Sequence, residues 1–333
     1  MPKIKKVEKV GKLTKIKKIT VADLSFPDYD LSRDGITQSL LSNVQVCRQK
    51  FLFAINRWVK SGTERKYLFG TVIHAFLEKA YTRHIFKDVN VENAFIDEWV
   101  TNYFQEHVTG RISGLEKRGE QEIEARVYAV LTEYMKFYRD DFTEMKFVEV
   151  EKSFEIDFHG YTLKGKTDGV FQDKQNKLWV LEHKTKGRID EDTLLLLLCF
   201  DTQSLFYVLV KQRQAKQSVA GVIYNVIRNP SQRWSTSETL KKYQDRIIKE
   251  IQLKPEHFFK RYEIPFTPQD VIKFEGHLDT VLSELQSLIQ GRTPVYKNDK
   301  ACDGKFVCEY LEACAKGKLT GLEQTESLFM ELK

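Results

Sequence analysis

The sequence predicts an α/β protein in which a mixed β-sheet is flanked by helices, with a helical N-terminal region and a helical C-terminal segment. Changes of hydrophobic period carry this prediction. Apolar residues recur at helical spacing through most of the first 145 residues, and from residue 147 to residue 184 they alternate with polar ones. Helical spacing returns after residue 190 and is interrupted by a β-branched run at 218–226. A sheet between two helical regions is therefore expected.

The N-terminal region is predicted to contain four amphipathic helices, at residues 39–58, 70–81, 91–107 and 120–142. The first ends where Ser61 and Gly62 break the pattern. In the second, Ile73, Phe76 and Leu77 share one apolar face. This region is therefore expected to bury its helices against one another and against the sheet.

The predicted sheet begins with three antiparallel strands within residues 147–184, separated by turn signals at 159–160 and 172–177. The remaining predicted elements are a helix at 191–216, a strand at 218–226 and helices at 237–253 and 268–290. The last helix has a clear start, with Thr267 as N-cap, Pro268 at the first helical position and Asp270 near the positive end of the dipole.

The composition places the chain among globular proteins. It has 333 residues, of which 41% are hydrophobic and 30% charged, and a net charge of +6. We expect no integral membrane protein, because no run approaches the roughly 18 uncharged apolar residues of a membrane span. The basic N-terminus is not followed by an apolar stretch, so we expect a reducing, cytoplasmic location. The five cysteines are then thiols or metal ligands before they are disulfides.

Residues 1–18 carry eight lysines against one acid, Glu8. Clustered ammonium groups attract nucleic-acid phosphates, although a solvated tail is the simpler alternative. We predict four regions along the chain. They are a basic flexible tail at 1–20, a mainly helical region at 21–145, a sheet-containing core at 146–230 and a helical C-terminal region with a cysteine cluster at 231–333.

Asp168 and Glu182 form the most informative pair in the sequence. If the hairpin between their strands closes tightly, their Cβ atoms lie roughly 4.5–5.5 Å apart. Like charges in that arrangement need neutralisation, and a divalent cation with oxygen ligands provides it. Lys184 points to the same face as Glu182, whereas His183 points away. The lysine could orient or help deprotonate an attacking water, or neutralise charge developing on a phosphate.

The alternative is an exposed hairpin whose charged side chains form cross-strand ion pairs. Leu178 and Val180 share the face of Glu182, while Trp179 and Leu181 occupy the other face. Both faces are therefore predicted to be buried, where a charged cluster is costly without a purpose. This favours a functional site.

Two further features lie on the neighbouring helices. His74 follows Gly70 on a predicted helix and lies off its apolar face, beside Glu78. Gln203 and Tyr207 are spaced i,i+4, so they present an amide and a phenol on one helix face. Singly, such residues are more often structural.

Together these motifs resemble the RecB-like branch of the PD-(D/E)xK nuclease superfamily. The matching segments, in the family's order, are GTVIHAFLE, GKTDGV, VLEHKTKG and QSLFY, and the resemblance spans roughly residues 39–226. It implies a restriction-endonuclease-like core at 146–230. Thr167 stands where the superfamily's name places a proline, a departure that this branch commonly shows.

The resemblance also implies the roles of the site residues. His74, Asp168 and Glu182 would bind Mg²⁺ or Mn²⁺, Lys184 would be the catalytic lysine, and Gln203 and Tyr207 would position DNA or the active site. The implied function is a metal-dependent DNA exonuclease for recombination, repair or end processing, which hydrolyses phosphodiester bonds with a metal-activated water. Its partners would be single-stranded DNA or duplex ends.

Other functions stay open at this point. A catalytically silent nucleic-acid-binding subunit of a recombination complex is one alternative, but a retired site usually loses one of its charged residues. A restriction-type endonuclease would need a recognition domain that is not visible. The chain carries no Walker signature, so a helicase or recombination partner would have to supply any motor. No membrane partner is expected.

The cysteines form a second pattern. Some RecB-like nucleases, including AddB-type and CRISPR-adaptation enzymes, hold a [4Fe–4S] cluster, and the matching positions here are Cys47, Cys302, Cys308 and Cys314. Zinc or no metal are the alternatives. The segment 301–318 has few large apolar residues, which favours attachment through metal ligands. Cys199 is predicted to be a buried apolar residue.

Overall fold

The computed structural model describes residues 20–85, 93–187, 189–304 and 307–332. The basic segment 1–18 therefore lies outside the described residues, as does Phe306. Within them the chain is a mixed α/β structure with a sheet flanked by helices, which confirms the predicted fold class.

The α-helices of the described residues are Gln38–Val46 (α1), Arg48–Ile55 (α2), Thr63–Ile85 (α3), Asn93–Tyr103 (α4), Lys117–Phe137 (α5), Asp141–Glu144 (α6), Glu191–Leu198 (α7), Thr202–Ala215 (α8), Leu240–Leu253 (α9), Pro255–Phe258 (α10), Pro268–Ile289 (α11) and Leu311–Lys316 (α12). A π-helical turn, Phe104–Val108, extends α4. Short 3₁₀ turns occur at Val21–Asp23, Asp299–Ala301 and Met330–Leu332. The start of α11 is as predicted, since Thr267 and Asp270 form a capping box.

The strands of the described residues are Ile36–Thr37 (β1), Trp58–Lys60 (β2), Lys146–Phe158 (β3), Tyr161–Gln172 (β4), Leu178–Lys186 (β5), Val219–Arg228 (β6), Phe259–Pro265 (β7) and Leu322–Gln324 (β8). β3, β4 and β5 form the predicted antiparallel meander. β6 runs parallel to β5, β7 pairs antiparallel with β6, and β1 runs parallel to the start of β4. The short β2 and β8 pair separately.

The central strands separate partway along the sheet. The ladder between β4 and β5 ends at the pair Gly169–Leu181. Beyond that point β5 continues beside β6 as far as Lys186. The strands therefore part at the position of Asp168 and Glu182.

Both faces of the sheet are buried, as predicted. Leu178 and Val180 belong to one apolar core, formed mainly with α1, α2, α8 and α11. Trp179 and Leu181 belong to the other, formed mainly with α3, α4, α5 and α9. Charged groups on β5 therefore lie between two apolar layers.

Two predicted helices are interrupted. The helix expected at 39–58 breaks at Cys47, whose backbone is extended (φ −165°, ψ 123°), and it ends at Ile55, before Trp58 begins β2. The helix expected at 191–216 breaks before Asp201, whose side chain accepts a hydrogen bond from Ser204 N at 2.8 Å and so caps α8. Aspartate is a strong N-cap residue, and this signal was overlooked. Strand β7 was also missed, because its alternation is carried by charged as well as apolar residues.

Glu191–Ala215, divided between α7 and α8, contains a window of mean hydropathy 1.8 that is long enough to cross a membrane by length and composition. The stretch is not the uncharged run considered in the sequence analysis, because it contains Asp201. Of its most apolar 18 residues, 44% are buried. Leu205 to Lys211 on α8 lie in the core. On α7, Leu196 is 70% exposed.

Candidate active site

Asp168 occupies the position where β4 and β5 part. Its Oδ2 accepts a 2.6 Å hydrogen bond from the backbone N–H of His183. The side chain thereby caps the edge of β5 after the ladder has ended. Its Oδ1 lies 3.7 Å from Nδ1 of His74.

Glu182 is buried on β5, with 4% of its surface exposed. Its Oε1 accepts hydrogen bonds from Lys184 Nζ and from Gln203 Nε2, the latter at 2.8 Å. Among the described residues, Oε2 is a buried oxygen with no hydrogen-bond partner. Because an unsatisfied buried carboxylate oxygen is costly, a ligand is expected opposite it.

Lys184, Gln203 and Tyr207 form a chain of contacts beside Glu182. Lys184 Nζ donates to Gln203 Oε1 at 2.8 Å, and Gln203 Nε2 lies 3.3 Å from the Tyr207 hydroxyl. Gln203 and Tyr207 lie one turn apart on α8, as their spacing predicts. The structure therefore brings together the predicted strand residues and the predicted helix residues.

His74 reaches the site because α3 approaches β5 closely. At Gly70, one turn before His74, an added Cβ would lie 2.6 Å from Thr185 Oγ1. A larger residue would push the helix away from the strand. The glycine thus places His74 against Asp168.

Glu151 is a site residue that the sequence analysis missed. It lies on β3 between the pairs Val150–Gly169 and Lys152–Thr167, and therefore opposite Asp168. Its φ of +46° is unusual for a residue other than glycine. Its carboxylate forms a 2.7 Å ion pair with Lys166. The only sequence signal was a carboxylate on a strand next to the aspartate motif.

The ligand atoms of His74, Glu151 and Asp168 lie within 4.8 Å of one another. An imidazole with carboxylate oxygens is a donor set suited to a divalent cation such as Mn²⁺ or Mg²⁺. Glu182 is outside this group, although the charge of Asp168 acts on it. Of the predicted ligands, His74 and Asp168 are therefore grouped with Glu151, and Glu182 lies beside them.

Burial and mutual repulsion set the ionisation of the carboxylates. Burial and the charge of Asp168 raise the pKa of Glu182 to about 7, against the opposing effect of Lys184. The same two causes raise the pKa of Glu151 to about 7. Burial alone would also raise the pKa of Asp168, but the neighbouring His74 holds it well below its usual range. Of the three carboxyl groups, Asp168 is therefore the one that is ionised throughout the neutral pH range.

The basic groups respond in the opposite sense. Burial lowers the pKa of His74 and Asp168 raises it, with a net rise. Burial would lower the pKa of Lys184, but Glu182 and Asp168 raise it above its usual range. Lys184 is thus held as a cation. Burial lowers the pKa of His183 to about 3, so this ring is neutral.

The four cysteines named above lie near the C-terminal end of α1, where Cys47 follows the last helical residue. Cys47 Sγ accepts a 3.4 Å hydrogen bond from Asn298 N, and Cys302 Sγ donates to Asn298 O at 3.5 Å. The pKa of the Cys314 thiol is raised by burial, with smaller contributions from the other three thiols. Among the described residues, no three of these sulfur atoms all lie within 4.8 Å of one another. A tetrahedral zinc site, with bonds of about 2.3 Å, would need them closer.

Two expectations about this region need correction. Cys199 is exposed rather than buried, because it lies at the break between α7 and α8, and its Sγ donates to Leu195 O at 3.4 Å. The C-terminal segment also docks through ordinary contacts. Tyr310 stacks on Phe53 with ring centroids 4.6 Å apart, and its hydroxyl donates to Trp58 O at 2.8 Å. The C-terminal segment is therefore joined to α2 and β2 by protein contacts that need no metal ligand.

Comparisons with known proteins give a family match and two weak structural likenesses. The structure titled "Crystal structure of SSO0001" is 17% identical, covers 66% of this chain and 87% of its own, and has a TM-score of 0.26. "Crystal structure of protein VC1899 from Vibrio cholerae" is 14% identical, covers 79% of this chain and 61% of its own, and has a TM-score of 0.20. No curated protein matches the chain. A family model described as the PD-(D/E)XK nuclease superfamily matches residues 36–315, a range that includes both clusters described above.

Proposed function

The chain belongs to the PD-(D/E)XK nuclease superfamily, and we propose that it is a metal-dependent DNA exonuclease of the RecB-like branch. Its role would lie in recombination, repair or the processing of DNA ends. Family membership supports a nuclease that uses divalent metal. The preference for DNA ends is the further step that an experiment must test.

One observation carries the proposal. Glu182 has one oxygen held by Lys184 and Gln203 and a second buried oxygen without a partner among the described residues. Asp168 is likewise held through one oxygen, since Oδ2 accepts from His183 N–H, but its Oδ1 faces Nδ1 of His74 at 3.7 Å. Each carboxylate is thus fixed through one oxygen, and the second oxygen of Glu182 is left for a ligand.

We assign the cation to His74, Asp168 and Glu182, with Glu151 as an additional ligand. Imidazole and carboxylate oxygens suit Mg²⁺ or Mn²⁺, and Asp168 stays ionised in the absence of a ligand. A divalent cation bound there would polarise a phosphate oxygen and activate the attacking water.

In the metal-free chain Lys184 is a cation. Glu182 and Asp168 raise its pKa, so the amine keeps its proton at neutral pH. A charged ammonium can stabilise the negative charge that develops on a phosphate, but it cannot accept a proton from water. Gln203 fixes the direction of the ammonium by accepting one of its hydrogens at 2.8 Å.

The test of the function uses end-labelled linear DNA and a circular DNA of the same sequence. We expect the full chain to degrade the linear DNA with Mg²⁺ or Mn²⁺ and to leave the circle intact. Cleavage of both forms would support a metal-dependent endonuclease instead. Binding without cleavage under any metal condition would favour the silent DNA-binding subunit.

We also propose that Cys47, Cys302, Cys308 and Cys314 hold a [4Fe–4S] cluster with a structural role. The support is that Cys47, Cys302 and Cys308 lie near enough to Cys314 to help raise the pKa of its thiol, beside the larger effect of burial. Cys47 breaks the helix between α1 and α2, which leaves its thiol accessible to Asn298 and the C-terminal cysteines. Such a cluster would fasten the C-terminal segment to the N-terminal helices.

A further inference from the structure

A network of buried polar side chains lies behind the candidate active site, on the opposite face of β5 from Glu182. Its members come from α3, α5, α6 and three strands, and they are Tyr81, Tyr134, Asp141, His183, Asn225 and Arg261. Asn225 is fully buried, and Asp141 and His183 are 5% and 2% exposed. Buried polar groups on this scale are retained only where their hydrogen bonds are satisfied.

The direction of the network is fixed at Arg261. Its Nη1 and Nη2 each donate a 2.6 Å hydrogen bond to an oxygen of Asp141. Its Nε donates to Oδ1 of Asn225 at 3.2 Å. Because a guanidinium has no acceptor, Asn225 must turn its oxygen toward Arg261 and its amide nitrogen toward the opposite side.

The orientation of Asn225 in turn decides the state of His183. Asn225 Nδ2 uses its two hydrogens on the Tyr134 hydroxyl, at 2.8 Å, and on His183 Nδ1, at 2.7 Å. His183 Nδ1 must therefore accept, and the ring carries its proton on Nε2. His183 Nδ1 is thus the last acceptor of a chain that runs from Arg261 Nε through the Asn225 amide.

His183 connects this network to the candidate metal ligands. Its backbone N–H donates to Asp168 Oδ2 at 2.6 Å. Its ring meets the edge of the His74 ring with centroids 5.9 Å apart at 85°, and stacks on Tyr81 at 5.8 Å and 9°. His74 and Tyr81 lie two turns apart on α3, so one imidazole contacts this helix twice.

We propose that His183, held by Asn225 and Arg261, is a positioning residue that sets Asp168 and His74 in cation-binding geometry. The proposal rests on the proposed function only in assuming that these residues bind a divalent cation. Loss of a hydrogen-bonding partner behind metal ligands typically lowers metal affinity by about 10- to 100-fold. A similar loss is expected when the hydrogen bond from Asn225 Nδ2 to His183 Nδ1 is removed.

The first test is the tautomer of His183 in the metal-free full chain, measured by NMR on protein with isotope-labelled histidine. The resonance is assigned by comparison with His183→Gln. We expect the neutral Nε2–H form in the wild type. In Asn225→Asp, which keeps the side-chain size but places an acceptor opposite the ring, we expect protonation at Nδ1. An Nδ1–H ring in the wild type would overturn the proposal.

The second test is the calorimetric affinity for Mn²⁺. We expect Asn225→Asp to bind Mn²⁺ about 10- to 100-fold more weakly than the wild type. The matched control is Tyr243→Phe on α9. It removes a hydrogen bond of 2.9 Å from the Tyr243 hydroxyl to Gln232 O, away from the candidate site. Its affinity should stay within about twofold of the wild type.

The outcomes separate the two proposals. Unchanged Mn²⁺ affinity in Asn225→Asp, beside a wild type that binds, would overturn the positioning role and leave the proposed function standing. An equal loss in Tyr243→Phe would show a general effect of stability and would also overturn it. A wild type that does not bind Mn²⁺ would overturn both the positioning role and the proposed function.

Discussion

The backbone N–H of His183 and the carboxylate of Asp168 are joined by a 2.6 Å hydrogen bond at the point where β4 and β5 part. This bond replaces the strand pairing that would otherwise continue to Glu182. It anchors one oxygen of Asp168 and leaves the other near His74. The divergence of two strands thus places carboxylates of both in one buried site.

Glu182→Gln is expected to weaken Mn²⁺ binding more than loss of an outer hydrogen bond does, which is about 10- to 100-fold. The amide keeps the size of the side chain but cannot supply an anionic Oε2. Calorimetric titration measures the affinity. The matched control is Glu155→Gln on β3, whose exposed carboxylate pairs with Lys164 at 3.2 Å and should bind as the wild type does. Equal affinities for all three proteins would remove Glu182 from the ligand set.

Gly70→Ala is expected to lower both stability and Mn²⁺ affinity. Its Cβ would lie 2.6 Å from Thr185 Oγ1, so either the Thr185 side chain must turn or α3 must shift and carry His74 with it, and we expect the helix to shift. Overpacking of this kind costs about 1–3 kcal/mol, which urea unfolding measures. Adding Thr185→Ala removes the clash and should restore both quantities.

The control for this experiment is Gly276→Ala in α11. An added Cβ there meets no atom within 4 Å. Because alanine is the better helix former, this variant should gain about 0.5–1 kcal/mol. A Gly70→Ala protein that is as stable as the wild type, or is not rescued by Thr185→Ala, would contradict the close-approach account.

Stability of the metal-free protein is expected to fall as pH rises from about 5 to about 8. The pKa of Glu182 and that of Glu151 are about 7 in the folded chain and 4.5 when unperturbed. A carboxyl with a raised pKa contributes stability that is complete below its unfolded pKa and is lost as pH rises through its folded pKa. The raised pKa of His74 acts in the same direction. The lowered pKa of His183 opposes them below about pH 6.5, where two carboxyls outweigh one imidazole. The lowered pKa of Asp168 matters only in more acidic solution, where its contribution is lost as pH falls.

Thermal melts at several pH values, with and without Mn²⁺, check this prediction. Mn²⁺ should raise Tm more at high pH, because the ligands must be deprotonated to bind it. The double variant Glu151→Gln, Glu182→Gln should flatten the dependence in the metal-free protein. A metal-free wild type whose stability is constant across this range would contradict the raised carboxyl pKa values.

The sequence predicted the sheet core and most of the site because both depend on local patterns. Alternation located β3 to β5, and the i,i+4 spacing placed Gln203 beside Tyr207 on α8. Long-range geometry could not be obtained in this way. Glu151 joins the site only through a positive φ on β3, and the Asn225 contact with His183 joins two strands that are distant in the sequence.

Sequence reasoning failed elsewhere for identifiable reasons. Cys47 lies inside a run with good helical spacing, and its extended backbone depends on tertiary contacts such as the one from Asn298. Cys199 was assigned to a core by the apolar run around it. The capping side chain of Asp201 ends that run and exposes the thiol.

Protein purified without oxygen is expected to be brown, with absorbance near 400 nm and roughly four irons per chain. Cys308→Ala should lose the colour and lower thermal stability, and activity should fall only through stability. The control is Cys199→Ala, whose exposed thiol lies outside the cluster and should leave the iron content unchanged. Colourless protein with stoichiometric zinc would transfer the site to zinc, and metal-free folded protein would contradict both.

Deletion of residues 1–18 is expected to weaken DNA binding and to reduce its salt dependence. The segment carries eight lysines and one acid. With fewer phosphate contacts, fewer counterions are released when the protein binds DNA. Binding titrations at several salt concentrations measure the slope. Cleavage under saturating substrate should stay at the wild-type rate. An unchanged salt slope would contradict a role for this segment in DNA binding.

The central claim is that the Asp168–Glu182 carboxylates, with a divalent cation, cut phosphodiester bonds. The most direct measurement is cleavage of one end-labelled linear DNA by equal amounts of wild type and Glu182→Gln, in Mn²⁺ and in chelator. We predict that the wild type cuts the DNA in Mn²⁺ and not in chelator, and that Glu182→Gln cuts it in neither. Both proteins should give the same circular dichroism spectrum. Metal-independent cleavage, or cleavage by folded Glu182→Gln at the wild-type rate, would contradict the claim.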